Sequence, residues 1–146
     1  MKEIARSAIV EHSAAKMYAL VDDIEAYPRF LPWCLEAKVD DTGARKRATL
    51  TVGMAGIRQA FTTENENRPE RAIDMRLVEG PFRHFSAAWR FTPLGEAAAQ
   101  VQFELRYQFA SRTLGRLLEP LFDQIADTMV DAFTRRADEL YGGDPG

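Results

Sequence analysis

The sequence is poorest in the residues on which most enzymatic chemistry depends. Its 146 residues include one cysteine, Cys34, and two histidines, His12 and His84. A lone cysteine excludes an intramolecular disulfide and leaves a thiolate metal cluster without ligands. Nothing near Cys34 in the sequence supplies a base, and a free thiol in such a setting is ordinarily a small buried hydrophobe. The histidines are too few and too scattered for a metal site or a Ser–His–Asp constellation. His12 reads as a loop residue and His84 as an outward strand residue. No apolar run approaches the roughly 20 residues that span a bilayer. The segment Met1 to Arg6 lacks the charged-then-apolar pattern of a secretory signal. Net charge is −3 with no long run of one sign, so no whole-molecule field draws the chain to DNA. Gly53 and Gly56 fall in a hairpin, not in the strand-to-helix setting of a phosphate-binding loop.

What is present is alternation. Ile4 to Val10 reads as a first strand. Ser13 is then positioned to cap a short helix over Ala14 to Val21, with Met17, Leu20 and Val21 on one face. Asp22, Asp23 and Glu25 are read as the start of a second short helix, where they would face the positive end of its dipole. Pro28 and Pro32 are expected to end it. From Leu35 onward strands alternate with turns. Asp41-Thr42-Gly43 is a turn, and Lys46 to Met54 puts Ala48, Leu50, Val52 and Met54 on one face. Ala55-Gly56 reverses the chain into a strand carrying Phe61. After the turn at Asn67 to Glu70, Ile73, Met75 and Leu77 share a face. Beyond Gly80-Pro81, Phe85, Ala87, Trp89 and Phe91 alternate, and Val101, Phe103, Leu105, Tyr107 and Phe109 do so most cleanly. One dry and one wet face mark an antiparallel sheet that meets solvent on its outer side.

Thr113 to Tyr141 changes period. Leu114, Leu117, Leu118, Leu121, Phe122, Ile125, Met129, Phe133 and Leu140 recur at three- and four-residue steps, the pattern of a long amphipathic helix. Pro120 should kink it, or divide it into a short helix and a long one. Gly142-Gly143 is a stop signal, and 142–146 reads as a flexible tail. A dry sheet face and one long amphipathic helix give a two-layer α+β domain spanning 1–146, with a curved antiparallel sheet gripping the C-terminal helix. Side chains on the dry face either fill the interior or leave a cavity, and periodicity does not decide between these.

The segment Asp23-Ile24-Glu25-Ala26-Tyr27-Pro28-Arg29-Phe30-Leu31-Pro32-Trp33-Cys34 resembles the signature of the START-like coenzyme Q-binding family, within the polyketide cyclase/dehydrase superfamily. Glu79 to Arg83, Trp89 to Leu94 and Met129 to Phe133 extend the likeness, which runs from about Ile4 to Tyr141. The resemblance implies a helix-grip fold with a hydrophobic cavity. Some members bind coenzyme Q and support respiration. A bacterial subgroup acts as a ribosome-association toxin that binds the large subunit and blocks subunit joining.

By this resemblance the expected activity is non-enzymatic binding of an apolar lipid, ubiquinone or a similar polyprenyl quinone, with no covalent or metal cofactor. Binding to the large ribosomal subunit is the alternative. The protein is expected in the cytoplasm, or peripherally at the inner membrane. Tyr27, Phe30, Leu31 and Trp33 would form the lip of the pocket, unless Phe30, Leu31 and Trp33 merely plug the core. Its walls would come from Leu50, Val52 and Phe61, from Met75 and Leu77, and from Phe82, Phe85, Trp89 and Phe91. Phe103, Leu105 and Tyr107 would add to them, with Leu118, Phe122, Ile125 and Met129 on the helix. Such walls, with few polar groups, suit holding a ligand better than transforming one. Gln59 and Thr63 are the exceptions if they share the phase of Phe61. Arg58, Arg76, Arg90 and Arg106 fall on the wet face among Glu64, Asp74 and Glu104, while Arg45, Lys46 and Arg47 cluster at a strand start. The outward arginines read as a solvated mixed face. Arg135 and Arg136 suit the negative end of the last helix.

Overall fold

The computed structural model describes residues 1–41 and 45–142. The Asp41–Gly43 turn and the tail beyond Gly142 therefore lie outside the described residues, except for Asp41 itself. β1 (Lys2–Val10) leads into α1 (Ala14–Asp22) and a 3-10 helix (Ile24–Arg29). Six strands follow: β2 (Cys34–Asp41), β3 (Lys46–Met54), β4 (Ile57–Arg68), β5 (Ala72–Glu79), β6 (Phe82–Pro93) and β7 (Ala99–Phe109). α2 (Arg112–Ala137) closes the fold and ends in a π turn, Asp138–Gly142.

The strands form one sheet in the order β1-β7-β6-β5-β4-β3-β2, every neighbouring pair antiparallel. After β1, the chain is thus a meander that returns to pair with its own first strand. α2 lies against β1 and β7, while the 3-10 helix packs on β2. The middle of the sheet, β3 to β5, is the part that the long helix does not cover directly.

Local chemistry accounts for most boundaries. The Ser13 side chain accepts from the Lys16 amide at 3.1 Å and that of Ser111 from the Leu114 amide at 3.2 Å, one capping bond for each helix. Ala55 and Gly56 have φ of 53° and 83°, both in the left-handed region that a two-residue hairpin turn requires. Met54, expected inward, stands exposed because the β3–β4 hairpin runs past the edge of the core.

Three further expectations are corrected. Pro28 lies inside the 3-10 helix and does not end it. Asp22 ends α1 instead of starting the next helix, so dipole stabilisation is not its role. Pro120 does not divide α2, which runs unbroken from Arg112 to Ala137. The burial of Leu118, Leu121 and Phe122 around it holds both halves to the sheet and offsets the missing amide. Leu117 and Leu140 leave the dry stripe and are exposed, whereas Val130 joins it.

The core is an aromatic ladder between α2 and the sheet. Trp89 sits on Phe103 with ring centroids 4.7 Å apart and meets Phe133 edge-on at 5.3 Å. Nearer the start of α2, Phe82 meets Phe122 at 5.1 Å and 89°. Each such pair adds about 0.5–1.5 kcal/mol beyond simple burial.

Candidate functional site

Between α2 and the uncovered middle of the sheet lies an apolar cavity of about 60 Å³. Val21, Ile24 and Tyr27 close it from the first two helices, and Phe122, Ile125 and Met129 from α2. Leu50, Phe61, Met75, Phe85, Trp89, Phe103 and Leu105 line it from the sheet, as the alternation requires. Ala48, Ile73 and Ala87 join them, their inward phase legible in the sequence, and the small alanines leave the room. Typical ligand pockets measure roughly 300–1,000 Å³, so a ligand of any length must widen this one.

The remaining expected wall residues lie elsewhere. Phe82 and Tyr107 pack with Phe109 near the start of α2, behind the cavity walls Phe61, Phe85 and Phe122. A register shift between Phe82 and His84 turns Phe82 inward out of phase with Phe85. Phe91 stacks parallel to Trp89 on the side of Tyr18, away from the cavity. Val52 and Leu118 are fully packed, and Leu77 sits beneath Gly80.

Of the proline-rich lip, only Tyr27 reaches the cavity. Its hydroxyl donates to the Val21 carbonyl, and burial pushes its pKa up, so it is a neutral donor at any physiological pH. Leu31 is wholly buried in the core. Phe30 packs edge-on against Phe133 at 5.2 Å, with the Arg136 guanidinium 5.4 Å from its ring centre. Trp33 donates from Nε1 to Thr128 Oγ1 at 3.3 Å. With Pro32 and the exposed flank of α2, Phe30 and Trp33 line a separate surface groove. For these three residues the plug is the better description.

The cavity is not uniformly dry. Inward positions of β4 run Phe61, Thr63, Asn65, and all three are buried. Thr63 Oγ1 donates to Asn65 Oδ1 at 2.8 Å, and both residues line the cavity. Thr63 follows from the phase of Phe61, and the same step of two would have found Asn65. Asn65 also borders an outer crevice formed with Tyr18, Asp22, Asp41, Arg45, Lys46 and Asn67. There Asp22 Oδ1 accepts from Lys46 Nζ and from Asn67 Nδ2, both at 2.7 Å, and Asn67 Nδ2 also reaches Tyr18 OH at 2.8 Å.

Other titratable groups are placed for structure. Cys34 is buried, its Sγ near the Glu36 carbonyl at 3.7 Å, and burial pushes its pKa up to about 11. His84 is exposed as expected, but His12 is buried and bonded through Nε2 to Asp138 at 2.7 Å. Lys2 pairs with Asp123, which raises its pKa, and lies 3.6 Å from Glu119; the buried Tyr107 hydroxyl near this group is raised chiefly by desolvation. Among the described residues, no three His, Cys, Asp or Glu side chains are grouped to hold a metal ion.

The outer face is only partly the mixed surface expected. Arg76 and Arg45 meet Glu64 at 3.3 and 3.0 Å, Arg90 meets Asp74 at 2.9 Å, and Arg106 meets Glu3 at 3.3 Å. Arg58, Arg83, Arg112 and Arg116 are exposed and form no ion pair among the described residues. Antiparallel connectivity puts all four at one end of the sheet, with the β3–β4 turn, the β5–β6 turn and the start of α2. Met54, Val78 and Leu117 are exposed at that same end.

A curved seven-stranded antiparallel sheet gripping a C-terminal helix over an apolar cavity defines the START-like class of α+β proteins. The family model described as "Polyketide cyclase / dehydrase and lipid transport" matches residues 10–134, and the chain belongs to that family. It is 42% identical over 97% of its length to Ribosome association toxin RatA of Vibrio cholerae, covering 99% of that protein. The protein of the same name from Escherichia coli is 39% identical, with 97% and 90% of the two chains covered. Coenzyme Q-binding protein COQ10 homolog B of Xenopus laevis is 29% identical over 96% of the chain but only 59% of that protein. Among solved structures, an 18 kDa protein of Caulobacter crescentus is 29% identical with a TM-score of 0.76, covering 98% of this chain and all of that one. A Streptomyces aromatase/cyclase reaches a TM-score of 0.82 at 17% identity, covering 97% and 98% of the two chains, a likeness of fold alone.

Among the described residues, no helix is long and apolar enough to cross a membrane.

Proposed function

We propose that this protein associates with the large ribosomal subunit and interferes with subunit joining. One observation carries this reading: near-complete, roughly 40% identity with proteins named as ribosome association toxins, against 29% for the coenzyme Q-binding relative. The four exposed, unpaired arginines at one end of the sheet supply a contact chemistry, since arginine is well suited to phosphate. The expected result is co-sedimentation with purified large subunits that weakens steeply with salt. Each arginine that neutralises a phosphate should contribute about 0.7–0.9 to the slope of log affinity against log salt. Unchanged ribosome profiles on overexpression, together with no co-sedimentation at low salt, would overturn this reading.

A second reading, binding of an apolar lipid such as a polyprenyl quinone, is favoured by the cavity itself and by the family's lipid-transport members. A quinone should quench Trp89, which lines the cavity, and raise the melting temperature. Absence of both effects would remove it. The two readings are compatible, because one uses the end of the sheet and the other its interior.

A further inference from the structure

We infer that the ligand of the cavity carries a hydrogen-bond-accepting oxygen at one end of an apolar body, and that Asn65 is the residue that receives it. This rests on the apolar-lipid reading above and names the chemistry of the ligand's polar end. Asn65 is 3% exposed and Thr63 5%, so both have left bulk water. The Asn65 carbonyl oxygen is occupied by the Thr63 hydroxyl at 2.8 Å. Its amide Nδ2 makes no hydrogen bond among the described residues and is not one of the fully enclosed unpartnered atoms, so it keeps open space beside it where the side chain borders the cavity and the outer crevice. Lys46, directly across the β3–β4 pair from Asn65, is no competitor, since its ammonium is held by Asp22 at 2.7 Å.

An amide donor that faces open space and has no protein partner is satisfied by water or by whatever enters in its place. Water can fill that role in the empty cavity. A hydrocarbon that displaced the water would strand the donor, whereas a carbonyl or methoxy oxygen would replace the lost bond. The neighbours of Asn65 set the direction of entry. On its inner side stand Phe61 and Phe122, which accept only apolar surface, and on its outer side lies the polar crevice around Asp22. A molecule with an oxygenated ring and an aliphatic tail fits this boundary with its ring oxygen at Asn65 and its apolar parts among the aromatics. A plain fatty chain does not.

The test uses the Trp33→Phe protein, so that Trp89 is the single tryptophan reporter. Two probes share one tail: decylubiquinone, with its ring carbonyls and methoxy groups, and decylbenzene, which has no acceptor oxygen. The parent should bind the quinone about tenfold more tightly than the hydrocarbon, the usual scale for one buried hydrogen bond. Asn65→Leu should abolish that preference while keeping decylbenzene binding. Asn65→Asp, which offers an acceptor to an acceptor, should abolish it too and serves where the leucine variant fails to fold. If both probes bind the parent and the preference survives in the Asn65 variants, the anchor is wrong and the apolar-lipid reading stands. If neither probe binds the parent, the lipid reading itself falls and the anchor with it.

Discussion

The two ends of the sheet treat their charged groups differently. Where β3 begins and β4 and α2 finish, several side chains are tied to one another, although Arg68 and Arg71 stand exposed there without an ion pair among the described residues. Lys46 and Asn67 converge on Asp22 at 2.7 Å, His12 meets Asp138 at 2.7 Å, and Lys16 lies 5.3 Å from the Tyr141 ring centre. Where β3 finishes and α2 begins, Arg58, Arg83, Arg112 and Arg116 are exposed without ion pairs among the described residues, beside exposed Met54, Val78 and Leu117. Paired charges at the first end hold helices to strands. At the second end Lys2 pairs with Asp123 and so ties β1 to α2, while the four open arginines are available to a partner. Stability and recognition are therefore expected to separate along the length of one domain.

The largest effect should come from removing the open charges. Replacing Arg58, Arg83, Arg112 and Arg116 together by alanine should cut large-subunit affinity by about a hundredfold or more at moderate salt, on the scale of several lost phosphate contacts. The melting temperature should hardly change, because exposed unpaired side chains contribute little to folding. Arg68 and Arg71 provide the control, being exposed arginines at the opposite end. Arg68→Ala with Arg71→Ala should leave co-sedimentation intact. Equal losses in both variants would mean that arginine content matters and position does not.

The tied end should respond in the opposite way. Asp22→Ala strands Lys46 and Asn67, whose partners it supplies, and is expected to cost about 1–3 kcal/mol. Thermal denaturation should show the loss while ribosome binding of the folded protein is retained. Asn67 already has one buried side-chain oxygen without a partner, so this group has little slack.

How much of this was legible in the sequence depends on which property decides each feature. Alternation gave the inward face of β3 to β7 along most of their length, and with it the walls at Leu50, Phe61, Met75, Phe85, Trp89 and Phe103. It missed the position of Phe82 because a register shift between Phe82 and His84 changes the phase locally, and no residue type announces such a shift. Whether the interior would be filled was decided by Ala48 and Ala87 lying among large aromatics, a matter of three-dimensional adjacency. Asp22 was misplaced because a helix end and a helix start are both compatible with Asp-Asp before an Ile. Of the lip, Tyr27 lines the cavity, while Phe30 and Trp33 line a surface groove against α2. The lip's apolar residues, Leu31 above all, are required to seal the core where the 3-10 helix crosses β2.

Cys34 sharpens the comparison from the middle of the molecule. Burial raises its thiol from 9.0 to about 11, so the folded state disfavours the thiolate. The unfolded chain then releases its proton first as pH rises. The contribution to stability is complete below the unfolded value near 9.0, declines above it, and is lost once pH passes about 11. Labelling of the native protein with a thiol reagent at pH 8 should be far slower than labelling in denaturant. Rapid native labelling at that pH would contradict the buried position.

The smallest effects compare the ends most directly, because each end carries one helix cap. Ser13→Ala and Ser111→Ala each remove one acceptor for an otherwise unpaired amide and should each cost about 1 kcal/mol. For a chain of this size that is a fall of roughly 2–4 °C in Tm. In stability the two variants should be nearly indistinguishable. They should differ in ribosome binding, because Ser111 fixes the first turn of α2, from which Arg112 and Arg116 project, and Ser13 lies at the tied end. A loss of affinity in Ser111→Ala with none in Ser13→Ala, at matched Tm, would assign the contact to the start of α2. Equal affinities would confine it to Arg58 and Arg83 on the strands.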